Sequence, residues 1–145
     1  MKRFEFRLER VREFRSGQVS LEESKLHALL SEVQALEAAR AELDQQRLSE
    51  ARALVSLGRV EAAELTALEA YRLAAIRRAH DLDRRTAVCR EHAQDQRARV
   101  LEARRKMKLL DRLKEKALEE WRIQENAEIE NVAAEAYLAK YVRER

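Results

Sequence analysis

Nothing in this chain is made to interrupt a helix: 145 residues contain no proline and only two glycines. Ordinary globular domains carry several per cent of each, in turns that feed a core from many directions. Their scarcity excludes a loop-rich enzyme fold and leaves long helices as the building material. The single cysteine, Cys89, excludes an intramolecular disulfide and agrees with a reducing compartment. No apolar run approaches the roughly 20 residues that span a bilayer. The opening Met1-Lys2-Arg3-Phe4-Glu5-Phe6-Arg7 sets charges where a signal peptide needs an apolar block, so a cytoplasmic protein is expected. A Gly-rich phosphate loop is missing as well.

What the chain does have is charge and regularly spaced apolar residues. Asp, Glu, Lys and Arg make up 39% of it, yet the net charge is only +3, which does not announce a nucleic-acid partner. Its aliphatic and alanine content is too high and too periodic for a disordered chain of this charge. Leu26, Leu29, Val33, Leu36, Arg40, Leu43, Arg47, Glu50, Leu54 and Leu57 alternate steps of three and four, the heptad seam of a coiled coil. A second series continues the spacing through Leu65, Leu68, Arg72, Ala75, Ala79, Leu82, Thr86, Cys89, Ala93, Gln96, Val100, Ala103, Met107 and Leu110. Small residues dominate its middle. Each such layer buries little area and is worth much less than the roughly 1.5 to 3 kcal/mol of a buried leucine.

Gly58 stands between the two series and suits the left-handed position just past a helix end. Thr66-Ala67-Leu68-Glu69 matches a capping box, while Glu61 and Glu64 also suit a first turn. Gly17, before the similar Ser20-Leu21-Glu22-Glu23, marks at most a frayed point in a continuous helix. The expected fold is all-α, a single coiled-coil domain over 1–145: a first helix at about 2–57, a turn at about 58–61 and a second helix at about 62–143. Two such helices bury their stripes most simply against each other, as an antiparallel coiled-coil hairpin. With unequal arms, a C-terminal stretch from near Leu118, holding Trp121, Ile123, Ile129, Val132, Tyr137, Leu138 and Tyr141, protrudes and implies a partner.

Charge is laid unevenly. Residues 1–15 carry six Lys or Arg against three Glu, and residues 97–116 carry nine against three acidic residues. Side by side in a hairpin, these make one basic end, while residues 119–145 hold seven Glu against four basic residues. A solvated face of i to i+4 ion pairs is the simpler account of such runs. His80, Cys89 and His92 include a Cys-x-x-His spacing, Cys89 to His92, on one helical face, but a zinc site needs more ligands than these. Carboxylates on an exposed helix find no desolvated place in which to shift a pKa. Catalysis, cofactors, small-molecule substrates and nucleic acid are therefore not expected. Phe4, Phe6, Leu8, Val11 and Phe14, with their basic neighbours, suggest a membrane-surface helix. The same apolar residues are the expected packing partners of Met107, Leu110 and Leu113.

The run Met1-Lys2-Arg3-Phe4-Glu5-Phe6-Arg7-Leu8-Glu9-Arg10-Val11-Arg12-Glu13-Phe14-Arg15 and the later Lys108-Leu109-Leu110-Asp111-Arg112-Leu113-Lys114-Glu115-Lys116-Ala117-Leu118-Glu119-Glu120-Trp121-Arg122 resemble the flagellar export protein FliJ family. The order of features agrees too: an aromatic-basic start, a glycine before the second helix, Tyr71 early in it and the Leu-Lys-Glu-Lys block near the end. The chain departs from the family at Ala133-Ala134-Glu135, where an Asp-Glu pair is common. The resemblance implies a non-catalytic stalk that inserts its terminal end into a hexameric export ATPase, touches the export gate membrane protein and assists export chaperones. It implies a monomer when free and a location at the inner face of the cell membrane at the flagellar base. Docking to the ring would use Phe4, Leu8, Val11, Leu110, Leu113, Leu118 and Trp121 as packing residues, with Arg7, Arg10, Arg105, Lys106, Lys108, Arg112 and Lys114 as electrostatic contacts. The exposed face of the second helix, with Tyr71, Ala75, Arg78 and Leu82, would meet the gate. A coiled-coil spacer or self-assembling bundle without an ATPase partner, and an injectisome counterpart of the stalk, stay open as alternatives.

Overall fold

Two long helices account for almost all of the chain, α1 (Glu9–Leu57) and α2 (Ala62–Arg143), in a computed structural model that describes residues 3–144. Met1, and Lys2 and Arg145, which enter the charge counts above, lie outside the described residues, as does the expected start of the first helix at residue 2. There is no strand among the described residues.

The first helix begins later than expected. Residues 3–6 have no regular structure, and the chain enters α1 through a turn at residues 7–8 in which the Glu9 amide donates to the Phe6 carbonyl at 3.0 Å. The cause lies outside the local sequence: the Phe4 ring packs on Trp121 of α2, centroid to centroid 5.9 Å and tilted by 58°. α1 then runs unbroken through Gly17, where an added Cβ would meet nothing within 4 Å.

At its other end α1 stops at Leu57 because Gly58 takes φ +65°, the left-handed conformation that favours glycine. The connection is short, and the Arg59 amide donates to the Leu57 carbonyl at 2.8 Å. α2 starts at Ala62, not at the Thr66 box. The Glu61 amide donates to Glu64 Oε2 at 3.1 Å, the reciprocal half of a capping box, whereas the Thr66 hydroxyl bonds back to the Ala62 carbonyl at 3.0 Å from inside the helix.

The chain divides into two compact units. The second of them comprises Glu22–Val100. Its core is Val33, Leu36 and Leu43 of α1 against Ala75, Ala79, Leu82 and Cys89 of α2, with Leu29 and Ala39 packed alongside. Polar seam residues are tied down individually: Thr86 bonds its own helix at the Leu82 carbonyl (2.8 Å), Cys89 Sγ lies 3.5 Å from the Leu29 carbonyl, and the Gln96 amide donates to the Glu22 carbonyl at 3.0 Å and to its carboxylate. From the seam, Arg40 reaches Asp83 at 3.0 Å and also holds Asp44, and outside it Arg90 holds Glu37. The cross-helix partners of Glu22, Leu29 and Arg40 fall in number along α2 as α1 advances: Gln96, Cys89, Asp83.

The first unit comprises the described residues up to Leu21 together with those from Leu101 onward. Leu110 is its buried side chain. Arg12 and Arg15 sit half-buried at seam spacing, where their aliphatic stems pack and their charged ends reach out. Every residue from 126 to 144 is exposed.

All nine buried positions of α2, from Ala75 to Leu110, lie on the three-four spacing read from the sequence. The α1 seam from Leu26 to Leu54 is likewise buried or half-buried, and only Leu57 is exposed. No described helix is long and apolar enough to cross a membrane.

Candidate partner-docking end

In the first unit Arg12 and Lys114 enter a charged cluster with Glu9 and Asp111. Arg12 donates through Nε to Asp111 Oδ1 at 2.7 Å and through Nη1 to Glu9 Oε1 at 3.1 Å, and Lys114 Nζ lies 2.8 Å from Glu9 Oε2. The four alternate in sign across the two helices, so each charge has an opposite neighbour. Lys114, followed by Arg12, holds the Glu9 carboxyl below its usual range despite partial burial, and Asp111 with Glu9 raises the Arg12 guanidinium further. The cluster fixes the register of the two segments here, which a row of leucines alone would allow to slide by a heptad.

The residues expected to pack at this end divide in two. Phe4, Trp121 and Leu118 are half-buried and Leu110 is buried. Leu8, Val11, Phe14 and Leu113 are exposed instead, which corrects the expectation that Leu8, Val11 and Phe14 pack against Met107, Leu110 and Leu113. The reason is register. The seam spacing continues upstream from Leu26 through Glu22, Val19, Arg15 and Arg12, so the arginines face α2 and the apolar stripe is turned to one side. The signal is the same three-four spacing carried upstream, with charged residues standing in the seam there as they do at Arg40, Arg47 and Glu50.

Arg7, Arg10, Lys108 and Arg112 are exposed. Arg105 and Lys106 are exposed as well, each 3.9 Å from Glu102 on the same helix. Lys114 is engaged with Glu9 and is therefore part of the fold at this end rather than a solvated contact.

The face proposed for a gate contact is corrected more sharply. Ala75 and Leu82, at 4% and 5% exposure, are core residues of the second unit, because seam spacing turns them toward α1. Tyr71 and Arg78 are exposed. Tyr71 borders an open groove near the turn with Leu48, Leu54, Leu68, Arg47 and Glu50, and partial burial, with Glu50 beside it, pushes its hydroxyl up.

Elsewhere little offers chemistry. Among the described residues no three His, Cys, Asp or Glu side chains gather as a metal site, and His80 and His92 are exposed while Cys89 is buried in the seam. Burial, then Glu32, pushes the Cys89 thiol up, so it stays protonated and poorly nucleophilic at neutral pH. Comparison with protein-family models, with curated proteins and with solved structures finds no match to this chain.

Proposed function

We propose that this protein is a non-catalytic, antiparallel coiled-coil hairpin with a protruding C-terminal helix, acting as the central stalk of a hexameric flagellar export ATPase. The observation that carries the reading is the end where the aromatic pair Phe4–Trp121 and the cluster Glu9–Arg12–Asp111–Lys114 lock residues of both helices together. Exposed Arg7, Arg10, Lys106, Lys108 and Arg112 surround it. A part gripped by a ring needs a stiff tip with a fixed register and a surface charge that steers docking. The inverse order of cross-helix partners in the second unit supports the antiparallel arrangement, and the exposure of residues 126–144 supports the protrusion.

In this mechanism the ring holds the basic tip and the shaft reaches the export gate, biasing it toward its export-competent state. The gate contact falls to Tyr71 and Arg78, since Ala75 and Leu82 are buried. The protein works at the inner face of the membrane at the flagellar base, and assistance to export chaperones is part of the same reading.

The test is light-scattering chromatography with the purified export ATPase and nucleotide. One copy eluting with six ATPase subunits is the expected result, and a protein that ignores the ring overturns it. Reversing Lys106 and Lys108 to Glu should weaken binding most at low salt, because rim charges act over a screened range. Trp121→Ala should weaken ring binding with helical content retained, since Trp121 braces the non-helical start and not the seam of the second unit.

A further inference from the structure

The first unit carries an apolar surface that its own fold leaves open. Val11 and Phe14 lie three residues apart on α1, with Leu8 three before Val11 in the turn that leads into it, and Leu109 and Leu113 stand one turn apart on α2. Leu8 and Leu113 already border one groove, together with Phe6 and Ala117. The ion pairs of Glu9 with Lys114 and of Arg12 with Asp111 set neighbouring levels on the two helices, which brings Phe14 level with Leu109. Phe14 is 59% and Leu109 60% exposed. The surroundings are basic: residues 97–116 carry nine Lys or Arg against three acidic residues, and Lys106 and Lys116 flank the leucines.

The complementary surface is on the same chain. From 123 to 139 there are four Glu and no Lys or Arg. Ile129, Val132, Ala136 and Ala139 step by three and four along one face of this stretch, and Val132 is 66% exposed. Within one copy the two surfaces cannot meet. The tail and the groove's Leu109 and Leu113 belong to the same unbroken helix α2, and Leu113 and Val132 are about 28 Å apart along its axis at 1.5 Å per residue.

We infer that the acidic stretch 123–139 of one copy docks in the groove of Leu8, Val11, Phe14, Leu109 and Leu113 of a second copy, giving a reciprocal dimer. Ile129 and Val132 enter beside Phe14 and Leu109 as a third helix of the bundle. Glu128 and Glu135 meet Lys106 and Lys116. Two identical tail-to-groove contacts close the pair, so assembly stops at two. The dimer covers part of the basic end, so the free protein keeps that end shielded from adventitious acidic surfaces. This inference does not rest on the ring reading and departs from the free monomer that the family resemblance implies, and the two fail separately: tail variants leave the ring-facing residues intact.

The experiment is sedimentation equilibrium of the full chain over a wide concentration range. A monomer–dimer equilibrium is expected, weakened by added salt. Val132→Glu in the tail and Phe14→Glu in the groove should each raise the midpoint concentration by at least about tenfold, as loss of a central apolar anchor does. Both sites are exposed in one copy, so helical content should stay unchanged in each. Mixing the two variants restores one intact contact, a sound tail on a sound groove, and heterodimers should appear where neither variant pairs alone. A chain monomeric at every concentration overturns the inference. So does a dimer that Val132→Glu breaks and Phe14→Glu leaves intact, which would mean tail-to-tail pairing, and so does a mixture that fails to recover.

Discussion

At the residue scale, the charges that matter are those drawn into the seam. Glu9 and Glu22 are both held below the usual carboxylate range, Glu9 chiefly by Lys114 and Glu22 chiefly by the Gln96 amide. A carboxyl lowered in the folded state adds stability that is fully present above its ordinary pKa and is lost as pH falls through the folded value. Acidification from neutral should therefore leave the thermal midpoint nearly flat until the ordinary carboxylate range and lower it below that. In Lys114→Ala, NMR titration should show the Glu9 carboxyl moving up toward its ordinary value. Cys89 offers a second test. Its buried, protonated thiol should react with a disulfide reagent far more slowly in the native protein than in denaturant, and equal rates would mean that the seam opens readily. The positions of these residues were legible in the sequence, Cys89 and Gln96 on the second series above all. Their partners were not, because a hydrogen bond such as Gln96 to Glu22 joins positions 74 apart in the chain.

At the element scale, the two glycines make opposite predictions. Gly58 sits at φ +65°, where an L side chain is strained, so Gly58→Ala should destabilise by about 1 to 2 kcal/mol in denaturant unfolding. Gly17 lies inside α1 with open space where a Cβ would go, and Gly17→Ala should stabilise by about 0.5 to 1 kcal/mol. The core asks for a third comparison. Leu36→Ala removes one of the large buried side chains of the second unit and should cost about 2 to 4 kcal/mol. Ala79, across the seam, is a small side chain buried in the same core, so Ala79→Leu should also destabilise, by about 1 to 3 kcal/mol, through overpacking. The turn, the end of α1 and the extent of α2 followed from Gly58 and the periodicity. The capping of α2 did not, since two acidic-residue patterns competed and only the bond from the Glu61 amide to Glu64 decided between them.

At the scale of the whole molecule, burial is concentrated in a narrow stripe of mostly small and aliphatic side chains, and among the described residues no side chain is completely enclosed. Stability is then a sum of modest layers, and it should vary along the chain. Backbone amides in 126–144, where every side chain is exposed, should exchange hydrogen faster than those around Ala75 to Val100, where the seam is buried. Uniform protection along α2 would show that something covers the C-terminal stretch, as the reciprocal dimer does at high concentration. Dilution should remove that added protection.

By itself the sequence determined the class of structure, two long helices with one turn, and the face each presents over most of its length. Both are local properties: a lack of helix breakers, a glycine able to take a positive φ, and a repeat that returns apolar side chains to one stripe every seven residues. Tertiary structure decided what local rules leave open. It drew Phe4 out of the helix and onto Trp121, put Arg12 and Arg15 in the seam, turned Val11 and Phe14 outward and buried Ala75 and Leu82 on a face that had been read as accessible. The physical reason is common to these cases. A helix repeats the same pattern on its own, but which neighbour meets each stripe, and in which register, is set by contacts such as Glu9 with Lys114 between residues far apart in the chain.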